Sequence, residues 1–240
     1  MYNQTVARLT YRALLGRRRA LILCALPALL LVVAIAVRAL VGADDDVTSQ
    51  LLGGFAMATM VPLIGVIAGT GAIGPEIDDG SVVYLLAKPL RRSSIILTKL
   101  LVAIGVTVLF SAVPTLLAGY ILNGNSQQIA VAYAVAAAIA SVAYSALFLL
   151  LGTVSRHAVV IGLVYALIWE ALFGSLVPGA RALSVQQWAL ALAAKVGGSG
   201  AEITSEVGVT TAVVLLALVT VGGAWFAGRK LRSLTLAGDE

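Results

Sequence analysis

The residues with chemistry to offer are few. The 240-residue chain has one histidine, one cysteine and 11 acids, whereas a membrane-embedded enzyme needs a convergent nucleophile, base or set of metal ligands. His157 stands beside Arg156 in a short polar break, where contact with lipid headgroups fits better than metal ligation. Cys24 lies inside an apolar run and reads as a small buried hydrophobe; a lone cysteine allows neither an internal disulfide nor a Cys-rich metal site. Glu170 is the one acid deep in an apolar stretch. An acid there is costly and by default suggests function. Helix rise puts it about 20 Å from His157, towards the far end of that stretch. A pair with Arg38 or Arg181 is the favoured reading, and a substrate or proton contact is the alternative. No catalytic residue and no metal ligand is assigned.

The other polar concentration runs from Gly74 to Lys99, GPEIDDGSVVYLLAKPLRRSSIILTK. Three acids precede a short apolar pattern, and four basic residues stand at or after its end. Asp78 or Asp79 can cap a helix start and complement its dipole; Val82, Val83, Leu85 and Leu86 give an apolar face, and Pro89 stops the helix after about two turns. A helix that short is not stable alone in water. It needs a partner surface, either the membrane or another protein. Arg91 and Arg92 hold the start of the next apolar stretch at the headgroups.

The elements that must position these groups follow from composition. With 60% hydrophobic and 11% charged residues and a mean hydropathy of +1.03, the chain falls far below the roughly 25% charged residues of a soluble domain. It is expected to be an all-α integral membrane protein. A formal charge of +5 could suggest nucleic acid, but the basic residues alternate with long uncharged runs, so no nucleic-acid partner is inferred. Apolar runs predict six transmembrane helices at about 20–41, 51–74, 94–121, 129–153, 158–177 and 207–228, within one transmembrane domain of residues 1–240. The length of the first run, with Arg38 after it, argues for a retained span rather than a cleaved signal peptide. Before it, Val6, Leu9 and Ala13 fall at helical spacing with Arg8 and Arg12 on another face, an amphipathic helix for the membrane surface.

Smaller features fill in the architecture. Gly65 and Gly69, at the spacing that lets helices approach closely, mark a packing face on the second span, with Gly71 nearby. Pro114 is available to bend the third, and alanines with Ser141 and Ser145 predict tight packing of the fourth. Asp44, Asp45 and Asp46 form one outer loop, and residues 123–128 another. Val185, Trp188, Leu192 and Val196, following Ser184 as N-cap, predict an amphipathic helix on the outer face between spans five and six, with Trp188 as interfacial anchor. On this topology 13 of the 16 basic residues lie on one side, leaving Arg38, Arg181 and Lys195 for the other. That imbalance puts both termini in the cytoplasm.

The order of an acid-rich turn, Gly-Ser, a short apolar helix, Lys-Pro-Leu-Arg-Arg, an apolar run and a lysine resembles the signature of the type-2 ABC exporter permeases. The matching residues are Glu76, Asp79, Gly80, Ser81, Leu85, Leu86, Pro89, Leu90, Arg91, Ile95 and Lys99, and the similarity extends over almost the whole chain. The resemblance implies that residues 76–90, including Asp78 and Lys88, form a coupling helix that docks into a groove on a separate cytoplasmic ABC ATPase. Two permease chains, identical or different, would pair around the substrate path. ATP and magnesium would bind in the partner, since this chain has no G-x-x-x-x-G-K-[ST] stretch. Leu-, Val- and Ala-rich spans suit a hydrophobic or amphipathic cargo such as a drug, antibiotic or lipid, moved outward. Abundant Ala, Gly, Val and Arg fit a bacterial gene of high GC content, and hence a bacterial cell membrane. A non-transporting membrane scaffold is the alternative function, and a membrane-embedded enzyme the weaker one.

Overall fold

The computed structural model describes residues 4–80, 92–173, 182–197, 203, 205 and 207–233, and among these every regular element is helical. Helix α1 (Gln4–Leu14) leads into α2 (Arg17–Val41). The second long rod is α3 (Asp45–Leu51), the π-helix π1 (Leu52–Met60) and α4 (Val61–Gly71), followed by the short α5 (Gly74–Asp78). Then come α6 (Arg92–Asn123), α7 (Ile129–Val154), α8 (Ala158–Val164) running into π2 (Tyr165–Phe173), α9 (Val185–Ala193) and α10 (Val209–Ser233).

Five of these rods are long and apolar enough to cross a membrane, at Arg19–Val41, Asp45–Ile77, Ser94–Asn123, Ser126–Val154 and Val209–Leu231. The expected fifth span is described as the 15-residue helix Ala158–Leu172. At ~1.5 Å per residue those 15 residues cover less than a ~30 Å hydrocarbon layer, so among the described residues five full-length spans and one shorter apolar helix stand where six were expected. The second span begins at Asp45 rather than near residue 51, because Asp44 caps it: its side chain accepts from the Val47 amide at 2.9 Å.

Helix α7 is the centre of the bundle. It packs against α4, α6, α9 and α10, and 61% of its most apolar window is buried, against 22% for α2 and 17% for α10. In lipid, helices associate through close packing and polar contacts rather than through apolar burial, and the small residues of α7 supply both. Gly65 and Gly69 do what their spacing predicts. A Cβ on Gly69 would lie 2.6 Å from the Phe148 Cβ, and one on Gly65 2.8 Å from the Tyr144 Cβ. Gly71 faces the other way, against Leu14. Ser141 and Ser145 meet α6 directly: Ser141 Oγ lies 2.8 Å from Ser111 Oγ, and Ser145 donates to Thr107 Oγ1 at 3.1 Å. Helix α6 runs through Pro114 without ending.

Three expectations are corrected. Helix α1 buries Val6, Ala7, Thr10 and Leu14 while Leu9 and Ala13 are exposed, so its inward face is turned about one residue from the expected stripe. Cys24 is exposed on α2, on a face that lipid or a neighbouring chain would cover. Helix α9 does not present Trp188 as an interfacial anchor. Trp188 is 5% exposed and donates Nε1 to the Ala182 carbonyl at 2.8 Å, and α9 packs against α7 and α10 with most of its residues buried. Its amphipathic pattern is explained by two helical neighbours rather than by a headgroup layer.

Candidate functional site

Two clusters of buried polar groups stand out, one at each of the features singled out by sequence. The first is the root of the Gly74–Lys99 segment. Lys99, two turns into α6, is fully buried. Its Nζ donates to Glu76 Oε1 at 2.7 Å and to the Ala72 carbonyl at 2.6 Å, with Thr10 Oγ1 at 3.4 Å. A buried ammonium is tolerated only when paired and hydrogen-bonded, and here its partners come from three further elements. Ala72 is the C-cap of α4, whose last carbonyls lack partners within the helix. Glu76 lies in α5, beside Pro75 at the helix start. Thr10 sits on the buried face of α1 and donates its own hydroxyl to the Val6 carbonyl at 2.9 Å. One ammonium therefore ties α1, the end of the second span, the start of the expected coupling segment and α6. Nearby, Arg19 makes longer contacts of 3.4 Å to the Gly71 carbonyl and 3.5 Å to the Ala13 carbonyl.

Of the residues assigned to the coupling helix, the structure describes Glu76, the backbone of Asp78, and Asp79 and Gly80; α5 ends at Asp78, and Gly80 adopts a positive φ of 69° that lets the chain turn out of it. Ser81, Leu85, Leu86, Lys88, Pro89 and Arg91 lie outside the described residues.

The second cluster surrounds Glu170, which is fully buried in π2. Oε1 accepts from the Tyr165 hydroxyl at 2.8 Å and from the Val185 amide at 3.1 Å, and Oε2 accepts from the Ser184 hydroxyl. Ser184 is the N-cap of α9 and Val185 its first residue. The carboxyl thus sits on a helix N-terminus, where orphan amides and the positive end of the dipole favour an acid. Tyr144, on α7 against Gly65 of the second span, is fully buried with its hydroxyl. It stacks on Phe148 at 5.9 Å, and Phe148 meets the Tyr165 ring edge-on at 5.9 Å.

The expected Glu170–Arg38 pair does not form. Arg38 Nη1 donates to the Leu122 carbonyl at 2.9 Å, closing the C-terminal end of α6, while Glu170 draws its donors from a helix end and a tyrosine. Arg181 lies outside the described residues. Sequence reading found Lys99, Glu76, Glu170 and the Ser184 cap separately but missed what joins them. Thr10, a polar residue four positions after Val6, and Tyr165, five before Glu170, were the available signals; the Ala72 carbonyl, being backbone, gave none.

Long apolar rods around a small-residue core, with polar groups spent on tying helix ends together, define a multi-pass helical membrane protein. Comparison with protein families identifies it further: the model described as ABC-2 family transporter protein matches residues 3–219. The chain belongs to that family, and its role is that of a membrane permease. A search of curated proteins found no match.

Proposed function

We propose that this chain is the membrane half of an ATP-driven exporter, driven by a separate cytoplasmic ABC ATPase that docks on residues 76–90. The observation that carries this reading is the Lys99 tie. A load applied to the segment between Glu76 and α6 reaches α1, the second span and α6 together, because one buried ammonium holds all three to the segment's root. ATP and magnesium belong to the partner, both termini face the cytoplasm, and two permease chains enclose the path. The cargo class that suits apolar spans is a hydrophobic or amphipathic molecule.

The test is co-purification under mild extraction. The native complex is expected to contain a soluble ATPase, and replacing Leu85 and Leu86 by Asp is expected to release it while membrane insertion is unchanged. Recovery of the chain without any ATPase would refute the exporter reading in favour of a membrane scaffold.

A further inference from the structure

Helix α1 and α6 do not close on each other along their whole length. Where α1 crosses α6, a cleft of about 600 Å³ opens with Arg8 and Tyr11 at its rim, and it shares Tyr11 and Val102 with a second, narrower cleft of about 230 Å³. The second runs along α6 past Leu101, Gly105, Leu109 and Phe110. By helix rise the stretch from residue 101 to residue 110 is about 13 Å long. A polar, cationic mouth therefore continues into an apolar trough. Arg12, one turn beyond Arg8, adds a second exposed guanidinium. No acidic side chain lines either part among the described residues. Gly105 forms an open floor: a Cβ built there meets nothing within 4 Å.

We propose that this composite cleft is a binding site for an anionic phospholipid, its phosphate held at Arg8 and one acyl chain laid along α6 over Gly105. The charge at the mouth selects the headgroup, and the trough, lined by Leu101, Val106, Leu109 and Phe110, is apolar enough for a hydrocarbon chain. A water-soluble anion would leave the trough unfilled, and an apolar molecule without a headgroup would leave the guanidinium unmatched. The site does not depend on the exporter reading, since it needs only that α1 lies at a bilayer surface.

The full chain, reconstituted in phosphatidylcholine vesicles containing a trace of phosphatidylglycerol with a mid-chain diazirine, provides the test. Illumination is expected to label Tyr11 and the stretch 101–110, and unlabelled phosphatidylglycerol should compete at least fivefold better than phosphatidylcholine. Fivefold corresponds to about 1 kcal/mol for one basic residue at an anionic surface. Arg8→Gln should bring the two competitors within about twofold, and Arg8→Lys should restore most of the preference. Gly105→Leu should abolish labelling of 101–110 but not of the exposed face of α10, with the unfolding temperature retained because the added side chain enters open space. Equal competition by both lipids, labelling indifferent to Gly105→Leu, or crosslinking of two copies of the chain through this cleft would each overturn the proposal.

Discussion

Removing Glu76 should harm the protein more than removing Lys99, although the two make the same ion pair. Their surroundings differ: the Lys99 side chain is fully buried and the Glu76 side chain is 27% exposed. Glu76→Ala leaves an ammonium in the interior with only the Ala72 carbonyl and the Thr10 hydroxyl to receive it. Uncompensated buried charges cost about 3–5 kcal/mol, and the partial exposure of Glu76 puts this case near the lower figure of about 3 kcal/mol. Lys99→Met replaces the side chain by an unbranched apolar one of similar length and leaves a Glu76 side chain that is 27% exposed, so that a rotation can turn its carboxylate, whose Oε2 is buried in the ion pair, towards solvent. Its expected cost is about 1 kcal/mol, the net worth of the lost hydrogen bonds. The double variant should resemble Lys99→Met alone, because the charge that made Glu76→Ala harmful is gone. Thermal unfolding in dodecyl maltoside measures the order; at roughly 2–4 °C per kcal/mol for a chain of this size, the two single variants should differ by about 4–8 °C. A Lys99→Met variant as unstable as Glu76→Ala, or a double variant with the sum of both losses, would refute the reasoning that the buried ammonium is the costly member.

Glu170 and Gly69 give two further tests. Glu170→Gln presents an amide to donors that already occupy both oxygens, so a loss of about 1–3 kcal/mol is expected in thermal unfolding, with Ser184→Ala costing about 1 kcal/mol as a lost N-cap; transport lost at unchanged stability would instead assign Glu170 to the substrate path. Gly69→Ala puts a methyl 2.6 Å from the Phe148 Cβ and should cost about 1–3 kcal/mol through overpacking, whereas Gly222→Ala, with nothing within 4 Å, should leave the unfolding temperature unchanged or raise it.

What the sequence made legible was whatever has a period or a local rule. Apolar run length found the five long spans, small-residue spacing found that Gly65 and Gly69 face a close-packed helix without saying which, and capping chemistry found Ser184. The misses share one physical cause. Amphipathicity reports that a helix has an apolar face but not what covers it, so α9 read as a surface helix although α7 and α10 bury it. Charge pairing was misjudged for the same reason: an acid in a span was matched to the nearest arginines in the topology, while the fold supplied one backbone amide and the hydroxyls of a serine and a tyrosine, donors that carry no charge to count. The Lys99 tie was half legible. Glu76 and Lys99 stood out as polar residues at span ends, but Thr10 lies 89 positions away from Lys99 and no local rule reaches that far.

Helix α2 packs along α6 through Leu23, Leu30 and Ala34 while its other face stays exposed, and a guanidinium near each end reaches a neighbouring helix, Arg19 at the Gly71 carbonyl and Arg38 at the Leu122 carbonyl. Nineteen residues of α-helix separate those two arginines, about 28 Å, which is nearly the thickness of a bilayer's hydrocarbon layer. The first span therefore acts as a gauge block: it fixes how far apart the end of the second span and the end of α6 can stand. A thinner membrane must be met by leaning the whole set of rods together, because shortening the gap would break one of the two end ties.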